Sequence, residues 1–402
     1  MVLIDRKLYF DRIAPFIGKN IIKVITGQRR VGKSYFLKSI RNKLEKGGKQ
    51  NRIIYINKED YAFNSIRDYE DLIHYVEKNN AKDEKVALFV DEIQEIESFE
   101  RALRHFFTKG NYDIYCTGSS AKLLSGELAT LLSGRSIALE IYSLTYPEFL
   151  QFHRMKENER SFEKYLLLGG MPGLIHFPAE EDILYEYLRN LYNTILIKDV
   201  ITRHAIRNVA FLQNLVLYLA ENTGNIVSAK RISDFLKSQK IRLSTVLVQD
   251  YLKYLSESFF VHMVKRSDIK GKRIFEIGEK YYFNDIGMRN SLIGYRVTDI
   301  SKILENIVFL HLKAANYQVT VGKDRTKEVD FVARKKGELM YIQVCYLLNE
   351  PATVEREFGN LRRINNDFPK LVVSMDNTSK ASYEGIRHFH IRDFCMNIIL
   401  KD

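Results

Sequence analysis

Short apolar runs alternate with amphipathic segments over the first 145 residues. The apolar runs predict five β-strands, at residues 21–26, 52–57, 86–90, 114–117 and 137–141. Between them, apolar residues at three- and four-residue spacing predict helices at 33–46, 66–79, 99–108 and 121–132. Strands that alternate with helices of this length are typical of a parallel sheet with helices on both faces, so we expect an α/β fold here.

The pattern changes twice more along the chain. Residues 146–300 are mostly helical, and helices at 212–221, 229–239 and 244–256 precede predicted strands at 260–266 and 272–277. Three helices followed by a hairpin is the order of a winged helix. The last hundred residues predict a smaller α/β domain, with helices at 301–316 and 355–365 and strands at 318–322, 328–334, 339–346 and 371–374.

The composition is that of a globular protein. The 402 residues are 46% hydrophobic and 28% charged, enough for two or three domains. The start of the chain has no apolar signal region, and no apolar run approaches the length of a membrane span. Cys116, Cys345 and Cys395 are widely spaced, which argues against a disulfide framework or a cysteine zinc site. We therefore expect a reduced cytoplasmic setting and no membrane partner.

The net charge of +12 is concentrated in the middle of the chain. Residues 198–273 carry 14 basic and 6 acidic side chains, a surplus of 8 (14 − 6) in about a fifth of the sequence. This distribution favours a polyanionic partner for the middle segment.

A phosphate-binding motif lies between the first predicted strand and the first predicted helix. The motif G-x-x-x-x-G-K-[ST] is matched in full by Gly27, Gln28, Arg29, Arg30, Val31, Gly32, Lys33 and Ser34. Glycines let backbone amides turn towards phosphates, and the helix N-terminus adds a positive dipole end. We expect ATP as the ligand, with Lys33 on its β- and γ-phosphates and the Ser34 hydroxyl on Mg²⁺. Tyr35 completes the predicted nucleotide-binding set, while Arg29 and Arg30 suit base, partner or structural contacts better than chemistry.

Two acids end the third predicted strand. At the carboxyl edge of a parallel sheet, Asp91 and Glu92 face the same crevice as the phosphate loop. Asp91 is placed to hold Mg²⁺ through water, and Glu92 to polarise the attacking water. The alternative is that the two acids only cap the following helix.

Two further residues are candidates for catalysis. Ser119 follows the fourth strand, where its hydroxyl can sense the γ-phosphate or cap helix 121–132. Arg135 follows that helix and can stabilise transition-state charge, in its own subunit or in a neighbour. A surface or ion-paired arginine is the equal alternative.

Together these segments resemble a known family. The phosphate loop, Leu-Phe-Val-Asp-Glu-Ile-Gln, Thr-Gly-Ser-Ser, and Gly-Arg followed by Ser-Leu-Thr-Tyr-Pro-Glu-Phe are similar to prokaryotic AAA+ ATPases, closest to the branch with a C-terminal domain of unknown function. Later segments agree, namely Lys198-Asp199, Lys270-Gly-Lys272, the stretch from Lys280 to Arg289, and Leu304-Glu305-Asn306.

The resemblance implies an order of domains and an activity. It implies an ATPase domain over residues 1–145, a helical connector over 146–205, a winged helix over 206–297 and a tail over 298–402 that resembles the PD-(D/E)XK restriction-endonuclease fold. ATP binding and hydrolysis are the implied activity, and the family's biological role is not implied.

The basic middle segment supports a duplex-DNA hypothesis. A winged helix places its third helix in the major groove and its hairpin on phosphates. The candidate contacts are Lys230, Arg231, Arg242, Lys265, Arg266, Lys270, Lys272 and Arg273. The equal alternative is a protein-binding winged helix, whose lysines are merely solvated.

The tail carries a degenerate nuclease pattern. Glu305, Asp330 and Gln343 fall on the acid positions of the PD-(D/E)XK motif, and Cys345 replaces its lysine. A neutral amide is a poorer Mg²⁺ ligand than a carboxylate, and cysteine supplies no positive charge beside a developing anion. We expect a binding or structural site rather than a nuclease, with metal recruitment by Glu328, Asp330 and Glu305 as an alternative.

Three functions follow from these motifs. The first is a Mg²⁺-dependent ATPase whose turnover moves the winged helix and tail. The second is a nucleotide-gated switch with slow turnover that binds DNA or a protein, and the third, disfavoured by Cys345, is an ATP-controlled nuclease. A homo-oligomer is expected if Arg135 acts on a neighbouring subunit.

Overall fold

The structure is a computed structural model that describes residues 4–47, 52–80, 84–121, 134–241, 243–269, 278–324, 327–377 and 382–400. The chain divides into two compact units. One comprises Met1–Tyr142 with Glu257–Phe259, and the other comprises Ser143–Ser256 with Phe260–Asp402.

The first unit is built on a five-stranded parallel sheet in the order β2-β3-β4-β1-β5. Its strands are β1 (Ile22–Thr26), β2 (Arg52–Asn57), β3 (Val86–Asp91), β4 (Tyr112–Gly118) and β5 (Ser136–Glu140). Its helices are α1 (Lys7–Ile13), α2 (Lys33–Lys46), α3 (Tyr69–Lys78) and α4 (Phe99–Lys109). The predicted α/β fold is confirmed, and the predicted helix at 121–132 lies outside the described residues apart from its first position.

Burial explains the apolar runs. Strands β1, β3 and β4 are buried at every position, because each has a neighbouring strand on both sides and helices cover the sheet. One face packs against α3 and α4 through Leu72, Val76, Leu103 and Phe106. The carboxyl ends of β1, β4 and β3 therefore lie side by side at one edge of the sheet.

The second unit begins with helices. These are α5 (Tyr146–His153), α6 (Glu159–Leu168), α7 (Glu181–Ile195), α8 (Val209–Glu221), α9 (Ala229–Ser238) and α10 (Thr245–Glu257). A three-stranded antiparallel sheet follows in the order β6-β9-β7, formed by β6 (Ile226–Val227), β7 (Val261–Val264) and β9 (Glu279–Phe283). The order of helices and strands is the one expected for a winged helix, and that assignment stays a prediction.

The rest of the second unit is a seven-stranded mixed sheet with helices, in the order β14-β15-β13-β12-β11-β10-β8. Its strands are β8 (Arg266–Asp268), β10 (Gln318–Asp324), β11 (Lys327–Lys335), β12 (Glu338–Val344), β13 (Lys370–Ser374), β14 (Ser382–Tyr383) and β15 (Ile386–His390). Helix α11 (Ile286–Ile293) packs against α6, α7 and α8, and the helices beside the seven-stranded sheet are α12 (Ile300–Ala314), α13 (Pro351–Arg362) and α14 (Ile391–Leu400).

The structure corrects the first strand of the predicted hairpin at 260–266 and 272–277, while its pairing with 272–277 stays a prediction. The first strand divides at Lys265, so that β7 pairs with β9 while β8 pairs in parallel with β10 of the seven-stranded sheet. Residues 270–277 lie outside the described part of the chain. Alternation of apolar residues fixes the face of a strand but not its neighbour, which is why the sequence pattern did not show that this strand divides between two sheets.

Several residues of the motif that runs from Lys280 to Arg289 join parts of the second unit. Asp285 caps α11 through the Met288 amide at 2.9 Å and also accepts a hydrogen bond from the Gly170 amide at 2.7 Å. Arg289 is buried and forms an ion pair with Asp299 at 2.6 Å. These residues serve packing rather than chemistry.

No helix in the described residues is long and apolar enough to cross a membrane.

A buried ion pair stabilises the amino-terminal edge of the five-stranded sheet. Lys23 of β1 pairs with Asp113 of β4, and both side chains are almost fully buried. Asp113 also accepts hydrogen bonds from the Tyr115 hydroxyl at 2.8 Å and the Gly18 amide at 2.9 Å. Burial lowers the pKa of Lys23, against the opposing effect of Asp113.

We expect Asp113→Ala to lower the free energy of unfolding by about 3–5 kcal/mol, because it leaves the Lys23 ammonium buried without a counter-charge. The double variant Lys23→Met/Asp113→Leu should lose less of the free energy of unfolding. Both variants break the Tyr115 and Gly18 hydrogen bonds, but only Asp113→Ala leaves a buried charge without a partner. Urea denaturation measures both values. Equal losses would show that the ion pair contributes nothing beyond those two hydrogen bonds.

Candidate functional site

The phosphate loop joins β1 to α2. Gly27 and Gly32 have φ of 142° and 100°, which glycine adopts far more readily than other residues. A Cβ on Gly27 would lie 2.2 Å from the carbonyl oxygen of Ile141, so a side chain cannot fit there. The loop is held from outside by Arg6, which donates to the Val31 carbonyl at 3.1 Å. Arg6 carries no motif signal, and sequence reasoning missed it.

Lys33 is the first helical residue after the loop and is buried. Its ammonium donates to the Gln28 carbonyl at 3.1 Å and lies 3.7 Å from a carboxylate oxygen of Glu92. The lysine of the motif and the acid predicted to orient water are thus brought to the same point.

Asp91, the last residue of β3, lies at the centre of a hydrogen-bond network. Its Oδ1 accepts from the Ser34 hydroxyl at 3.1 Å and from the Thr117 hydroxyl, and its Oδ2 accepts from the Tyr55 hydroxyl at 3.2 Å. Burial, together with the Asp91 charge, raises the pKa of Tyr55, so Tyr55 stays a donor. Sequence reasoning gave no role to Thr117, although it begins the Thr-Gly-Ser-Ser motif, and it missed Tyr55, which no motif contains.

Glu92 has left-handed backbone geometry, with φ of 54°, which is uncommon outside glycine. Its amide donates to the Thr117 hydroxyl at 2.9 Å, and its carboxylate accepts from the Gln94 side chain. The strained turn aims the carboxylate towards Lys33 instead of continuing β3. Helix α4 begins only at Phe99, after a short 3₁₀ turn, so Glu92 does not cap a following α-helix.

These residues fit a magnesium ion. The Ser34 hydroxyl and the Asp91 carboxylate are hard oxygen donors that lie within 3.1 Å of each other. Among the described residues, no group of three or more His, Cys, Asp or Glu side chains is arranged to hold a metal. The protein thus offers two oxygens at this point, which matches a Mg²⁺ that takes its other ligands from phosphate and water.

The structure separates the two weaker catalytic candidates. Ser119 is buried directly after β4, the strand that lies between β1 and β3, as predicted for a γ-phosphate sensor. Arg135 precedes β5, whose first residue pairs with Ile22, so it lies at the opposite edge of the sheet from the phosphate loop. Its guanidinium lies over the Phe107 ring at 5.6 Å.

A role for Arg135 in its own subunit is therefore wrong. Strand β1 has five residues and spans about 16 Å at ~3.3 Å per residue, more than an arginine side chain can reach. Action on a neighbouring subunit stays a prediction.

Other loop residues lie at the rim of the site. Arg29 forms a weak ion pair with Glu59 at 3.5 Å, Arg30 adopts a left-handed conformation with φ of 68°, and Tyr35 is exposed. The expectation that Arg29 and Arg30 do not carry the chemistry, and the place of Tyr35 in the nucleotide-binding set, stay predictions.

In the second unit, the predicted acids of the tail surround a lysine. The Lys280 ammonium of β9 lies 2.7 Å from Glu305, 2.8 Å from Glu328 and 3.4 Å from Asp330, and the Tyr282 hydroxyl also donates to Glu305. Burial alone would lower the pKa of Lys280, but the three carboxylates outweigh it and raise the pKa. The signal that sequence reasoning missed was a lone lysine followed by three aromatic residues on a buried strand.

Gln343 and Cys345 make structural contacts beside these acids. The Gln343 side chain accepts a hydrogen bond from the Asp330 amide at 3.1 Å, which fixes the two strands to each other. Cys345 is buried among apolar side chains, and burial raises the pKa of its thiol. The acids cluster as the motif implied, but they face the internal ammonium of Lys280.

The candidate DNA contacts are only partly grouped. Lys230 and Arg231 are exposed at the start of α9, and Lys265 is exposed between two sheets. Arg266 belongs to β8 of the seven-stranded sheet and not to a wing. Arg242, Lys270, Lys272 and Arg273 lie outside the described residues.

The cluster around Lys280 makes stability depend on pH. Burial raises the pKa of Glu305 to about 7, against the effect of Lys280. Between pH ~4.5 and ~7 the folded protein therefore holds a proton that the unfolded chain releases, so this group lowers the free energy of unfolding as pH rises.

We expect Glu305→Gln, which keeps a neutral polar group, to make the unfolding free energy of the whole protein fall less steeply across that range. Denaturation at a series of pH values measures the slope, with Glu355→Gln as the control at an exposed glutamate. Parallel slopes for the wild type and Glu305→Gln would contradict the raised pKa.

Comparisons with known proteins agree with the site. The family described as AAA domain matches residues 19–150, and the family described as Domain of unknown function (DUF8612) matches residues 159–299. A protein from Haemophilus influenzae, named Uncharacterized protein, is 33% identical over 400 residues, which cover 98% of this chain and 99% of the relative. Uncharacterized protein MJ1544 of Methanocaldococcus jannaschii is 34% identical over 391 residues, covering 88% of this chain and 85% of the relative.

Two solved structures show only a distant likeness. AMPPCP-bound DnaA from Aquifex aeolicus has a TM-score of 0.33 at 15% identity, covering 64% of this chain and 90% of the other. The Aeropyrum pernix ORC1 protein in complex with DNA has a TM-score of 0.33 at 13% identity, covering 72% and 92%. Likeness at this level carries no inference about activity. The AAA-domain match covers the residues that build the phosphate site and shows a P-loop AAA+ domain at residues 19–150, and the chain belongs to one family with its full-length Haemophilus influenzae relative.

Proposed function

We propose that the protein binds ATP with Mg²⁺ and hydrolyses it. The observation that carries the proposal is the convergence of Lys33, Ser34, Asp91 and Glu92 at the carboxyl edge of β1, β4 and β3. Phosphoryl transfer needs positioning and charge neutralisation more than covalent chemistry, and this edge supplies both.

Each residue of the site has a role in ATP hydrolysis that follows from its chemistry. The loop amides and the Lys33 ammonium bind the phosphates, so Lys33 would exchange its Gln28 contact for phosphate oxygens. Ser34 and Asp91 would hold Mg²⁺, which neutralises the charge that develops on the phosphates. Glu92, oriented by Thr117 and Gln94, is the group that positions the attacking water, while Ser119 senses the γ-phosphate.

The partner on which the ATP cycle acts is either duplex DNA or a protein. The exposed cations at the start of α9 support DNA, as the sequence predicted. Phe235 and Val246 nearby on the chain are 61% and 64% exposed, and such apolar side chains support a protein contact as the second candidate. In either case the winged-helix region is the proposed contact, and a slow ATP-gated switch is the alternative to a fast ATPase.

Steady-state ATP turnover with Mg²⁺, with and without duplex DNA, tests the proposal. We expect Lys33→Ala to lose both nucleotide binding and turnover, and Glu92→Gln to lose at least about 100-fold in turnover while it still binds ATP. Lys46→Ala on the same helix and Glu95→Gln, both at exposed side chains, are the matched controls and should behave as wild type.

The outcomes of this assay distinguish a DNA partner, a protein partner and a nucleotide-gated switch. DNA-stimulated turnover supports action on DNA, and turnover indifferent to DNA supports a protein partner. ATP binding with negligible turnover in the wild type supports the switch. Absence of nucleotide binding in the wild type would refute the proposal.

If Arg135 completes a neighbour's site, turnover per subunit should rise with protein concentration, and Arg135→Ala should lose about 1,000-fold at high concentration. Mixing Arg135→Ala with Glu92→Gln subunits should restore activity above either alone, because the Arg135→Ala subunit keeps an intact site and its neighbour supplies the arginine. Flat specific activity on dilution, or no complementation, would rule out an inter-subunit role.

A further inference from the structure

A groove runs along the amino-terminal ends of β12, β13 and β15 in the seven-stranded sheet. Two adjoining cavities of about 510 and 490 Å³ form it and share Gly337, Glu338, Leu339 and Phe368. Asp330 and Gln343, at the other end of β11 and β12, belong to the Lys280 cluster, so the groove is a separate site on the same sheet.

The groove has an apolar floor and aromatic walls. Leu371 and Phe394 are buried beneath it, and Tyr317 and Phe389 line its sides. Phe368 precedes β13 and is 46% exposed, so a face of its ring is open to a ligand. An open aromatic ring above an apolar floor is suited to stacking with a flat ring.

The rim of the groove is positively charged. Arg334, Lys335, Lys336 and Arg387 line it against the single acid Glu338, a surplus of three (4 − 1). Arg334 and Lys336 are exposed and make no ion pair or side-chain hydrogen bond with the described residues. Arg387 lies over the Phe389 ring at 5.6 Å, and Lys335 over Tyr317 at 5.2 Å.

The backbone fixes these groups in place. Lys336 and Gly337 form the two-residue turn between β11 and β12, with φ of 50° and 86°, and Lys335 pairs with Glu338 across it. Lysine is an unfavourable residue at positive φ, so the turn holds the Lys336 side chain at the rim at a conformational cost. The backbone that carries these cations is therefore held by strand pairing and by a tight turn.

We propose that this groove binds single-stranded nucleic acid, with a base stacked on Phe368 and backbone phosphates on Arg334, Lys336 and Arg387. Alternating aromatic rings and cations is the arrangement that recognises an unpaired strand. In a duplex the base faces are covered by stacking, so the open ring would have no partner there. An acidic peptide would satisfy the cations but would leave the aromatic walls without a matching ring. The groove does not involve the ATP site, and the inference goes beyond the proposed ATPase.

Fluorescence anisotropy with a labelled 12-residue oligothymidylate and the full-length protein tests the groove. We expect Phe368→Ala to weaken binding about five-fold or more, as for loss of one stacked base, and Phe368→Tyr to bind as wild type. Arg334→Glu/Lys336→Glu should weaken binding further and flatten the dependence of log Kd on log salt by about 0.7 for each lost phosphate contact. Arg363→Glu makes the same type of charge change at an exposed residue of the same sheet domain and should not alter binding.

The result that overturns the proposal is equal affinity for the wild type and Phe368→Ala, or an equal loss with Arg363→Glu. Equally tight binding of a duplex of the same length, or a loss caused by Lys230→Glu instead, would move the contact to the winged-helix region. Displacement by polyglutamate that is unaffected by Phe368→Ala would identify an acidic peptide as the ligand. Lys33→Ala should bind the oligonucleotide normally, and Phe368→Ala should keep its ATP turnover. The two proposals are therefore tested independently, and either can fail without affecting the test of the other.

Discussion

The parallel pairing of β3, β4 and β1 is the constraint on which the nucleotide site depends. Parallel strands finish at the same edge, so the phosphate loop, the paired acids and Ser119 are delivered to one place by pairing alone. Side-chain hydrogen bonds then hold the site residues in position, because the Thr117 hydroxyl donates to Asp91 and accepts from the Glu92 amide. A shift in the register of β4 would move Thr117 and Ser119 together and disconnect the acids from the loop. The same geometry places Arg135 at the far edge, where it is out of reach of its own loop.

Buried charge is handled differently in the two units. Lys23 and Asp113 form a simple pair with added hydrogen bonds, far from the chemistry. Lys280 instead forms ion pairs with three carboxylates. The positive charge that Cys345 cannot provide beside these acids therefore comes from another strand, β9. An ammonium in this position neutralises the acids and occupies the space between them, which argues for cohesion of the domain rather than phosphodiester cleavage. The acids that the nuclease-like pattern singled out thus lie together around Lys280, and their role in binding or structure stays a prediction.

The sequence pattern predicted those helices and strands whose bounds depend on residues close together in the chain. The bounds of α2 and β2 matched because a full phosphate motif and apolar runs with clear ends specify them. The contacts of Lys280, Arg6 and Tyr55 join residues distant in sequence, and a single sequence carries no signal for such pairs. The division of residues 260–268 between two sheets was missed for the same reason, because both halves read as one strand. Strands β14 and β15 are short and lie between turns, where periodicity is too weak to identify them.

The chain crosses from one sheet of the second unit to the other at Lys265, and this has a consequence for dissecting the protein. A fragment that starts at residue 298, the boundary that the family resemblance implies, lacks β8 and would leave the backbone of β10 unpaired along residues 321–323. It would also lack β9, and Glu305, Glu328 and Asp330 would then face one another without a counter-charge. An open strand edge invites intermolecular pairing, and repelling carboxylates loosen the fold beside it. We therefore expect that the tail from residue 298 does not fold on its own and that a cleavage at residue 298 yields a fragment that aggregates.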